Sequence, residues 1–290
     1  MIITVIREDD DIIVVDKPAG MPSAPLKKHA YGQQRADSQS ALEEICVLCP
    51  AVRSVSGRNE WEAGLVHRLD TDTRGLLLAA KNQRAYDFLQ NEQESGRFEK
   101  HYRALVTSSR IQRQGFPPCP CHNGNGQIVC ESKFRAWGRK GKEVRPVAGR
   151  ETNQQTKQTY AEKKAAPRTY TTTIFFSEIY QENLSGIIKN YTPIIADCPL
   201  TLETLRTCLK NRTVFCADCA ICRGFRHQVR VHLAWLGFPV IGDPVYGYMP
   251  EPVEYAEIPA IIQPPMMFFS VGLRFRHPSA EDGGVMRVDL

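Results

Sequence analysis

Residues 64–81 read GLVHRLDTDTRGLLLAAK, and this stretch decides how the chain can be interpreted. A polar turn at 71–74 joins an apolar segment to a run beginning at Leu76 that predicts a strand. His67 and Asp70 stand at the edge of this turn. We therefore expect Asp70 at the mouth of a structural element, where a carboxylate is available for chemistry.

A second polar cluster lies at residues 223–237, which read RGFRHQVRVHLAWLG. The spacing of Val229, Leu233 and Leu236 predicts an amphipathic helix, which should end at Gly237. Polar side chains are distributed around this helix. On spacing alone, Arg230 is either a functional group or an ordinary surface residue of this helix.

Apolar spacing predicts several further elements. In chain order they are a strand before Lys17-Pro18-Ala19-Gly20, a helix over Gln83–Leu89, a strand over 98–106, strands within Ser132–Trp137 and Tyr170–Phe176, and a strand over 266–278. Strand and helix signals follow one another without the regular alternation of a doubly wound fold. The sequence therefore predicts the α+β class.

Charge is concentrated in one part of the chain. The 290 residues carry a formal net charge of +5, and residues 139–168 alone hold nine Lys or Arg against three Glu. Little apolar periodicity occurs between 108 and 170, which predicts an irregular, exposed or partly disordered basic insertion. Such a segment suits a nucleic-acid partner, and a solvated loop without a partner is the alternative.

The ten cysteines include short spacings that suggest a metal site: Cys216, Cys219 and Cys222; Cys46 and Cys49; and Cys119 and Cys121. The first set lies in a segment with strand character, where alternate side chains point to opposite faces, so its three thiols should not bind one metal. A zinc site built from Cys46, Cys49 and two distant cysteines remains an alternative. Thiols in a reducing compartment are the favoured interpretation.

The chain shows no targeting or membrane signal. Its amino terminus lacks the basic start and unbroken apolar stretch of a signal peptide. No run approaches the ~20 apolar residues of a membrane span. We therefore expect a cytoplasmic protein without a membrane partner.

The 67–70 segment, His-Arg-Leu-Asp, followed by a turn and Gly-Leu-Leu-Leu, is similar to the signature of the RluA-type pseudouridine synthases. Three further motifs support the resemblance: Lys17-Pro18-Ala19-Gly20, Lys100-x-Tyr102-x-Ala104, and the run from Gly224 through His227-Gln228-x-Arg230 to Gly242-Asp243. Two positions depart from the family pattern. Arg74 replaces a serine and adds a positive charge where RNA would pass, and Phe225 replaces an arginine, so Arg223 or Arg226 is expected to supply any phosphate contact.

The resemblance implies a mixed, mostly antiparallel central sheet with flanking helices and a central catalytic cleft. It implies one catalytic domain over residues 1–290, without the S4 domain that some members carry before it. We expect no cofactor and no metal. The expected partner is ribosomal or transfer RNA, and a monomer without an obligatory protein partner is expected.

The resemblance also implies roles for individual residues. Asp70 is the expected catalytic aspartate, acting as nucleophile at C1′ or as base at C2′, with Arg230 as its charged partner and Tyr102 stacked on the target base. The expected substrate-binding residues are Arg68, His67, Arg226, His227 and Gln228, where Arg68 fills the space that the base vacates or meets a phosphate and His67 braces the turn.

Two alternatives come from other functional classes. A metal-dependent phosphoesterase would use His67, Asp70, His227, His232 and Asp243, and chelators would abolish its activity. A noncatalytic RNA-binding protein would leave RNA unmodified, with or without Asp70.

Overall fold

A computed structural model gives the fold. It describes residues 2–25, 39–109, 113–119, 122–124, 126–148, 164–179, 213–247, 264–280 and 284–290. The chain divides into two compact units, the first made of Met1–Tyr102 with Phe269–Leu290 and the second of Arg103–Phe268. In sequence, the second unit is therefore inserted between two pieces of the first.

The described residues form eleven strands and three α-helices. In chain order these are β1 (Thr4–Glu8), β2 (Ile12–Lys17), α1 (Ala41–Leu48), β3 (Arg74–Ala80), α2 (Gln83–Glu94), β4 (Glu99–Thr107), β5 (His122–Gly124), β6 (Gln127–Trp137), β7 (Glu143–Val147), β8 (Tyr170–Ile179), β9 (Val214–Ile221), α3 (Gln228–Trp235), β10 (Phe268–Arg276) and β11 (Val285–Asp289). Short 3-10 helices span Pro50–Ser54 and Arg139–Gly141. The prediction of the α+β class is confirmed, as are the strand before Lys17, the helix from Gln83 and the strand at the end of the chain.

In the first unit, β1, β2, β3, β10 and β11 pair in that order. All neighbours are antiparallel except β3 and β10, which run parallel. Leu76, Leu78 and Ala80 of β3 enter the hydrophobic core, which includes Phe98 and Phe275 stacked at 5.1 Å. Leu77 and Ala79 on the other face are also buried, so β3 is apolar on both faces.

Side-chain caps fix where the helices of the first unit begin. Ser40 and Glu43 form a capping box at α1, and the Asn82 side chain accepts a hydrogen bond from the Ala85 amide at α2. The helix α2 follows directly on β3 and packs its apolar residues into the core. The predicted helix from Gln83 thus extends beyond Leu89 to Glu94.

In the second unit, β6 pairs antiparallel with β5, β7 and β8, and β8 pairs antiparallel with β9. The strand predicted within Ser132–Trp137 is confirmed as part of β6, whereas the prediction of an irregular segment over 108–170 is wrong for β5, β7 and the start of β6. The alternation that defines β7 is weak in sequence, because charged Glu143 and Arg145 flank Val144 and Pro146 stands within the strand. Residues 149–163 of the predicted insertion lie outside the described residues.

The helix α3 differs from its prediction in one respect, because all eight of its residues are buried. The prediction of an amphipathic helix with a polar, exposed face is wrong, because the polar side chains form hydrogen bonds inside the second unit. The two ring nitrogens of His232, for example, lie 2.9 Å from Ser132 Oγ and 2.8 Å from Thr172 Oγ1. Burial lowers the pKa of His232 to about 3, so its ring is neutral.

The cysteines agree with the strand prediction. Cys219 is buried on one face of β9 and Cys216 is half-buried on the other, while Cys222 follows the end of the strand and is half-buried. The seven described cysteines are thiols, and Cys121 lies outside the described residues. Where the structure describes the chain, no group of three or more His, Cys, Asp or Glu is arranged to hold a metal, and no helix is long and apolar enough to cross a membrane.

Candidate active site

Asp70 lies half-buried in the turn that leads into β3. Before the turn, the chain pairs with β3: the Val66 amide donates to the Leu78 carbonyl at 3.0 Å, and the Ala80 amide donates to the Gly64 carbonyl at 2.8 Å. After the turn, β3 begins at Arg74. The predicted polar turn therefore leads into the predicted strand, and Asp70 lies at the mouth of β3.

Hydrogen bonds hold the backbone on both sides of Asp70. Before it, the Ser23 hydroxyl donates to the Leu69 carbonyl at 2.7 Å and accepts from the Leu69 amide at 2.9 Å. After it, the Thr71 carbonyl accepts from the Gly20 amide at 2.8 Å. The Asp70 carbonyl itself accepts from the Thr73 amide at 3.1 Å. These bonds fix the Cα–Cβ direction of Asp70 and so preorganise its carboxylate.

Lys17 is the most unusual residue beside this turn, because its side chain is fully buried. Its ammonium donates to the carbonyls of Met21 at 2.7 Å, Pro18 at 2.9 Å and Thr71 at 3.1 Å. Burial lowers the pKa of Lys17 to about 7, although nearby carboxylates, including that of Asp70, oppose the shift. The sequence marked Lys17-Pro18-Ala19-Gly20 only as a strand end and a motif, and nothing in it indicated that Lys17 anchors the Asp70 turn.

Tyr102, on β4, lies near Asp70 in the same unit. Its side chain is buried, and both this burial and the charge of Asp70 raise the pKa of its hydroxyl, which stays protonated. The structure thus brings together two of the three predicted catalytic residues.

His67 is buried, and burial together with the charge of Lys100 lowers its pKa to about 3. Its Nε2 accepts from the Leu78 amide at 3.3 Å, so the neutral ring carries its proton on Nδ1. This contact ties the turn to β3, as the predicted bracing role requires.

Arg68 is exposed, and its Nη1 lies 2.6 Å from Oε1 of the buried Glu62. Asn59 in turn donates to Oε2 of Glu62 at 2.8 Å. Glu62 and Asn59 therefore restrict the position of Arg68, and the sequence carried no signal for either residue.

Arg74 differs from its prediction. Its guanidinium donates through Nε and Nη2 to the Asp16 carboxylate, with a shortest distance of 2.7 Å. The positive charge of Arg74, at the start of β3, is therefore paired with the carboxylate of Asp16 on β2. This pairing could not be read from the sequence, because Asp16 lies on β2, 58 residues away along the chain.

In the second unit, Arg230 forms a buried ion pair with Asp243. Its Nε and Nη2 donate to the two carboxylate oxygens at 2.7 and 2.8 Å, and the guanidinium lies 5.4 Å from the Tyr246 ring centroid. Burial alone would raise the pKa of Asp243, but Arg230 and the amides of Tyr246 and Val245 lower it. Asp243 is thus the residue that orients Arg230, a role that the sequence analysis missed.

The remaining predicted substrate-binding residues differ in exposure. Arg226 is exposed, and its guanidinium donates to the Gly141 carbonyl. His227 begins α3 in the left-handed conformation, with Nδ1 at 3.0 Å from the Tyr246 hydroxyl. Gln228 is buried, and its amide bonds to Thr171, Thr172 and the Phe225 amide, which makes it a structural support for the start of α3.

Three of the five ligands predicted for a metal-dependent phosphoesterase, His67, His232 and Asp243, are engaged in other contacts. Both oxygens of Asp243 bond to Arg230. Both nitrogens of His232 have hydroxyl neighbours, and the Nε2 of His67 accepts from the backbone. These contacts compete with metal binding at the three residues.

Comparison with known proteins identifies the class. The family model described as RNA pseudouridylate synthase matches residues 11–235. The chain therefore belongs to the RNA pseudouridylate synthase family, and the predicted resemblance to its RluA-type members is confirmed.

Two curated relatives illustrate the match. A protein from Nitrosomonas europaea named ribosomal large subunit pseudouridine synthase D is 26% identical over 84% of this chain and 49% of its own length. An uncharacterized RNA pseudouridine synthase, YlyB, from Bacillus subtilis is 26% identical over 83% of this chain and 56% of its own length. The chain thus spans about half the length of the curated relatives it matches.

Solved structures agree on the fold. Human RNA pseudouridylate synthase domain containing 1 aligns over 99% of this chain and 82% of its own, with a TM-score of 0.56 at 17% identity. Human RNA pseudouridylate synthase domain containing 4 gives a TM-score of 0.57 at 15% identity, over 99% and 87% of the two chains. The architecture is therefore that of pseudouridylate synthase domains.

Proposed function

We propose that this protein isomerises uridines in RNA to pseudouridine, with Asp70 as the catalytic carboxylate. One observation carries the proposal: the turn around Asp70 is held by hydrogen bonds at Leu69, Asp70 and Thr71. A carboxylate fixed in this way can meet a reacting carbon without first losing conformational freedom. Membership of the RNA pseudouridylate synthase family supplies the reaction.

The reaction needs one carboxylate and no oxidant. The N1–C1′ bond breaks, the base turns, and C5 joins C1′; the hydrogen on C5 leaves as a proton, and N1 gains one. Asp70 acts as nucleophile at C1′ or as base at C2′. Glycoside hydrolysis, by contrast, generally uses a pair of carboxylates and a water.

The other residues act on the substrate around Asp70. The target uridine must leave its stack, and Tyr102 is the proposed aromatic surface for the flipped base. Arg68 is proposed to fill the vacated space. Arg230 is proposed as the charged partner of Asp70, and its pairing with Asp243 supports this role because it holds the guanidinium in one orientation.

The proposed substrate is ribosomal or transfer RNA in the cytoplasm. Ribosomal RNA is the first to test, because several matching relatives are named ribosomal large subunit pseudouridine synthases. Arg226 and the basic residues from 139 onward are proposed to contact phosphates, so binding should weaken as salt rises.

Tritium release from RNA labelled at uridine C5 tests the proposal. Wild-type protein should release tritium from ribosomal or transfer RNA, and Asp70→Asn, which keeps the shape of the side chain, should abolish release. Asp72→Asn is the matched control, since Asp72 lies exposed in the same turn. It should retain activity.

Two further measurements separate the alternatives. Activity that survives EDTA excludes the metal-dependent phosphoesterase, which would instead cleave RNA and lose activity. RNA binding by the wild type without tritium release from either RNA would support the noncatalytic binder. Equal release by Asp70→Asn and wild type would refute the site.

A further inference from the structure

The β6–β7 hairpin concentrates the positive charge of the chain. Residues 133–147 hold six Lys or Arg against one Glu, which gives +5, as large as the formal charge of all 290 residues. We define the hairpin patch as five of these basic residues together with one tryptophan: Arg135, Trp137, Arg139, Lys140, Lys142 and Arg145. In the described part of the chain, Glu143 is the acidic residue that pairs with this patch, through Arg145 at 3.0 Å.

An exposed tryptophan lies at the centre of the patch. Trp137 is 39% exposed, an unusual value for so large an apolar side chain. The guanidinium carbons of Arg135 and Arg145 each lie 4.3 Å from its ring centroid. Cation–π attraction therefore holds both arginines beside the ring.

The two arginines also face each other across the strands. Arg135 is the register partner of Arg145. Like charges directly opposite in an antiparallel pair are destabilising; Glu143 offsets the charge of Arg145, and a further anion beside Arg135 would reduce the repulsion that is left. The position therefore suits a phosphate.

The turn that carries the remaining basic residues has a fixed shape. The Gly141 amide donates to the Gly138 carbonyl at 3.1 Å, and the Arg226 guanidinium donates to the Gly141 carbonyl. Lys140 adopts φ 57°, a left-handed conformation that costs a non-glycine residue about 1 kcal/mol. Strain of this kind commonly marks functional positions.

We propose that the hairpin patch binds a single-stranded stretch of the RNA, apart from the target uridine, with one base stacked against the Trp137 and arginine surface and phosphates on the surrounding cations. Tracking a charged backbone while stacking bases on aromatic or guanidinium planes is how proteins bind single strands. Duplex RNA offers no unstacked base to such a surface. The choice of RNA as ligand rests on the proposed function.

Fluorescence anisotropy of a labelled single-stranded RNA of about 20 nucleotides tests the proposal. Trp137→Ala should weaken binding about fivefold or more and leave the salt dependence unchanged, whereas Trp137→Phe should retain most of the affinity. Arg135→Gln with Arg145→Gln should lower the slope of log K against log salt by about 1.4, the value for two phosphate contacts to a single strand.

Arg287→Gln is the matched control, because Arg287 is an exposed arginine on a short strand of the first unit and pairs with Asp289. It should bind RNA like the wild type. Heparin and a duplex of the same length serve as comparison ligands, and neither should lose affinity when Trp137 becomes alanine.

Three results would overturn the proposal. The first is an affinity of Trp137→Ala for the single-stranded RNA within twofold of wild type, when circular dichroism shows that the variant is folded. The second is a loss of affinity of Trp137→Ala for heparin as large as its loss for RNA. The third is an unchanged salt slope in the variant that carries both arginine substitutions. If Trp137→Ala fails to fold, the Trp137→Phe and arginine variants decide. Wild-type protein that releases no tritium but needs Trp137 to bind RNA would refute the proposed function and leave the hairpin assignment intact.

Discussion

Replacing Asp243 by asparagine should strongly destabilise the second unit. Asparagine keeps Oδ1, which accepts from the amides of Val245 and Tyr246 at 2.8 and 2.9 Å. It loses the negative charge that Arg230 contacts at 2.7 and 2.8 Å. The substitution therefore isolates the contribution of the ion pair.

Burial sets the size of the effect. The side chains of Arg230 and Asp243 are 4% and 0% exposed. Unit charges about 4 Å apart at an effective dielectric of about 20 interact by about 4 kcal/mol, and breaking a buried pair from one side costs about 3–5 kcal/mol. We expect Asp243→Asn to lower the free energy of unfolding by about 3 kcal/mol.

Urea denaturation followed by tryptophan fluorescence measures this change, because Trp235 lies on the same helix as Arg230. Arg230→Gln and the double variant complete a cycle that gives the coupling energy of the pair. The control is Asp218→Asn, since Asp218 pairs with Arg103 at 2.6 Å with both side chains more than 40% exposed. That exposed pair should contribute less than about 1 kcal/mol.

Equal losses in the free energy of unfolding for Asp243→Asn and Asp218→Asn would contradict this prediction. So would a coupling energy of the buried pair below about 1 kcal/mol. If the Asp243→Asn protein is folded, we expect kcat for tritium release to fall by a larger factor than KM changes. The reason is that Arg230, the proposed partner of Asp70, would lose its fixed orientation in the reacting complex.

Three other predictions concern the first unit. Hydrogen bonds to two arginines hold the pKa of buried Glu92 at about 2, below its ordinary 4.5. The stabilisation that Glu92 contributes is present above pH 4.5 and is lost as pH falls towards 2, so the difference in free energy of unfolding between wild type and Glu92→Gln, measured by urea denaturation, should shrink by about 1–2 kcal/mol from pH 5 to pH 3. Gly75→Ala places a Cβ 2.1 Å from the Ser270 carbonyl oxygen and should cost more than about 3 kcal/mol, whereas Gly96→Ala, also at positive φ but in open space, should cost only about 1 kcal/mol in thermal unfolding. The ring of His67 should remain neutral down to pH 5 in nitrogen NMR spectra, because its pKa is about 3; a protonated ring at pH 5 would contradict its burial.

The sequence predicted the strand after Asp70 well, because the apolar run from Leu76 to Ala80 is continuous. It did not reveal what holds the turn. Ser23 and Lys17 reach Leu69 and Thr71 across 46 and 54 residues of chain. A local sequence pattern does not show which distant segments lie side by side, so these contacts became visible only in three dimensions.

The basic region shows a different limit of sequence analysis. A strand was expected within Ser132–Trp137, and the charged and turn-forming residues after it indicated an exposed loop, yet Glu143–Val147 pairs with that strand as β7. The error arose because β-structure at a charged surface has little hydrophobic alternation to detect. In α3, similarly, polar residues indicated a solvated face, but His232 and Gln228 satisfy their hydrogen bonds internally.

The division of the first unit between the two ends of the chain also constrains its biosynthesis. On a ribosome, Met1–Tyr102 emerges long before Phe269–Leu290, and the edge of β3 that pairs with β10 must wait for the last strands. During that interval the nascent chain exposes an apolar strand edge, a hazard for aggregation. A chain that stops before Phe269 should therefore leave the first unit unfolded, although it contains the Asp70 turn and its anchors.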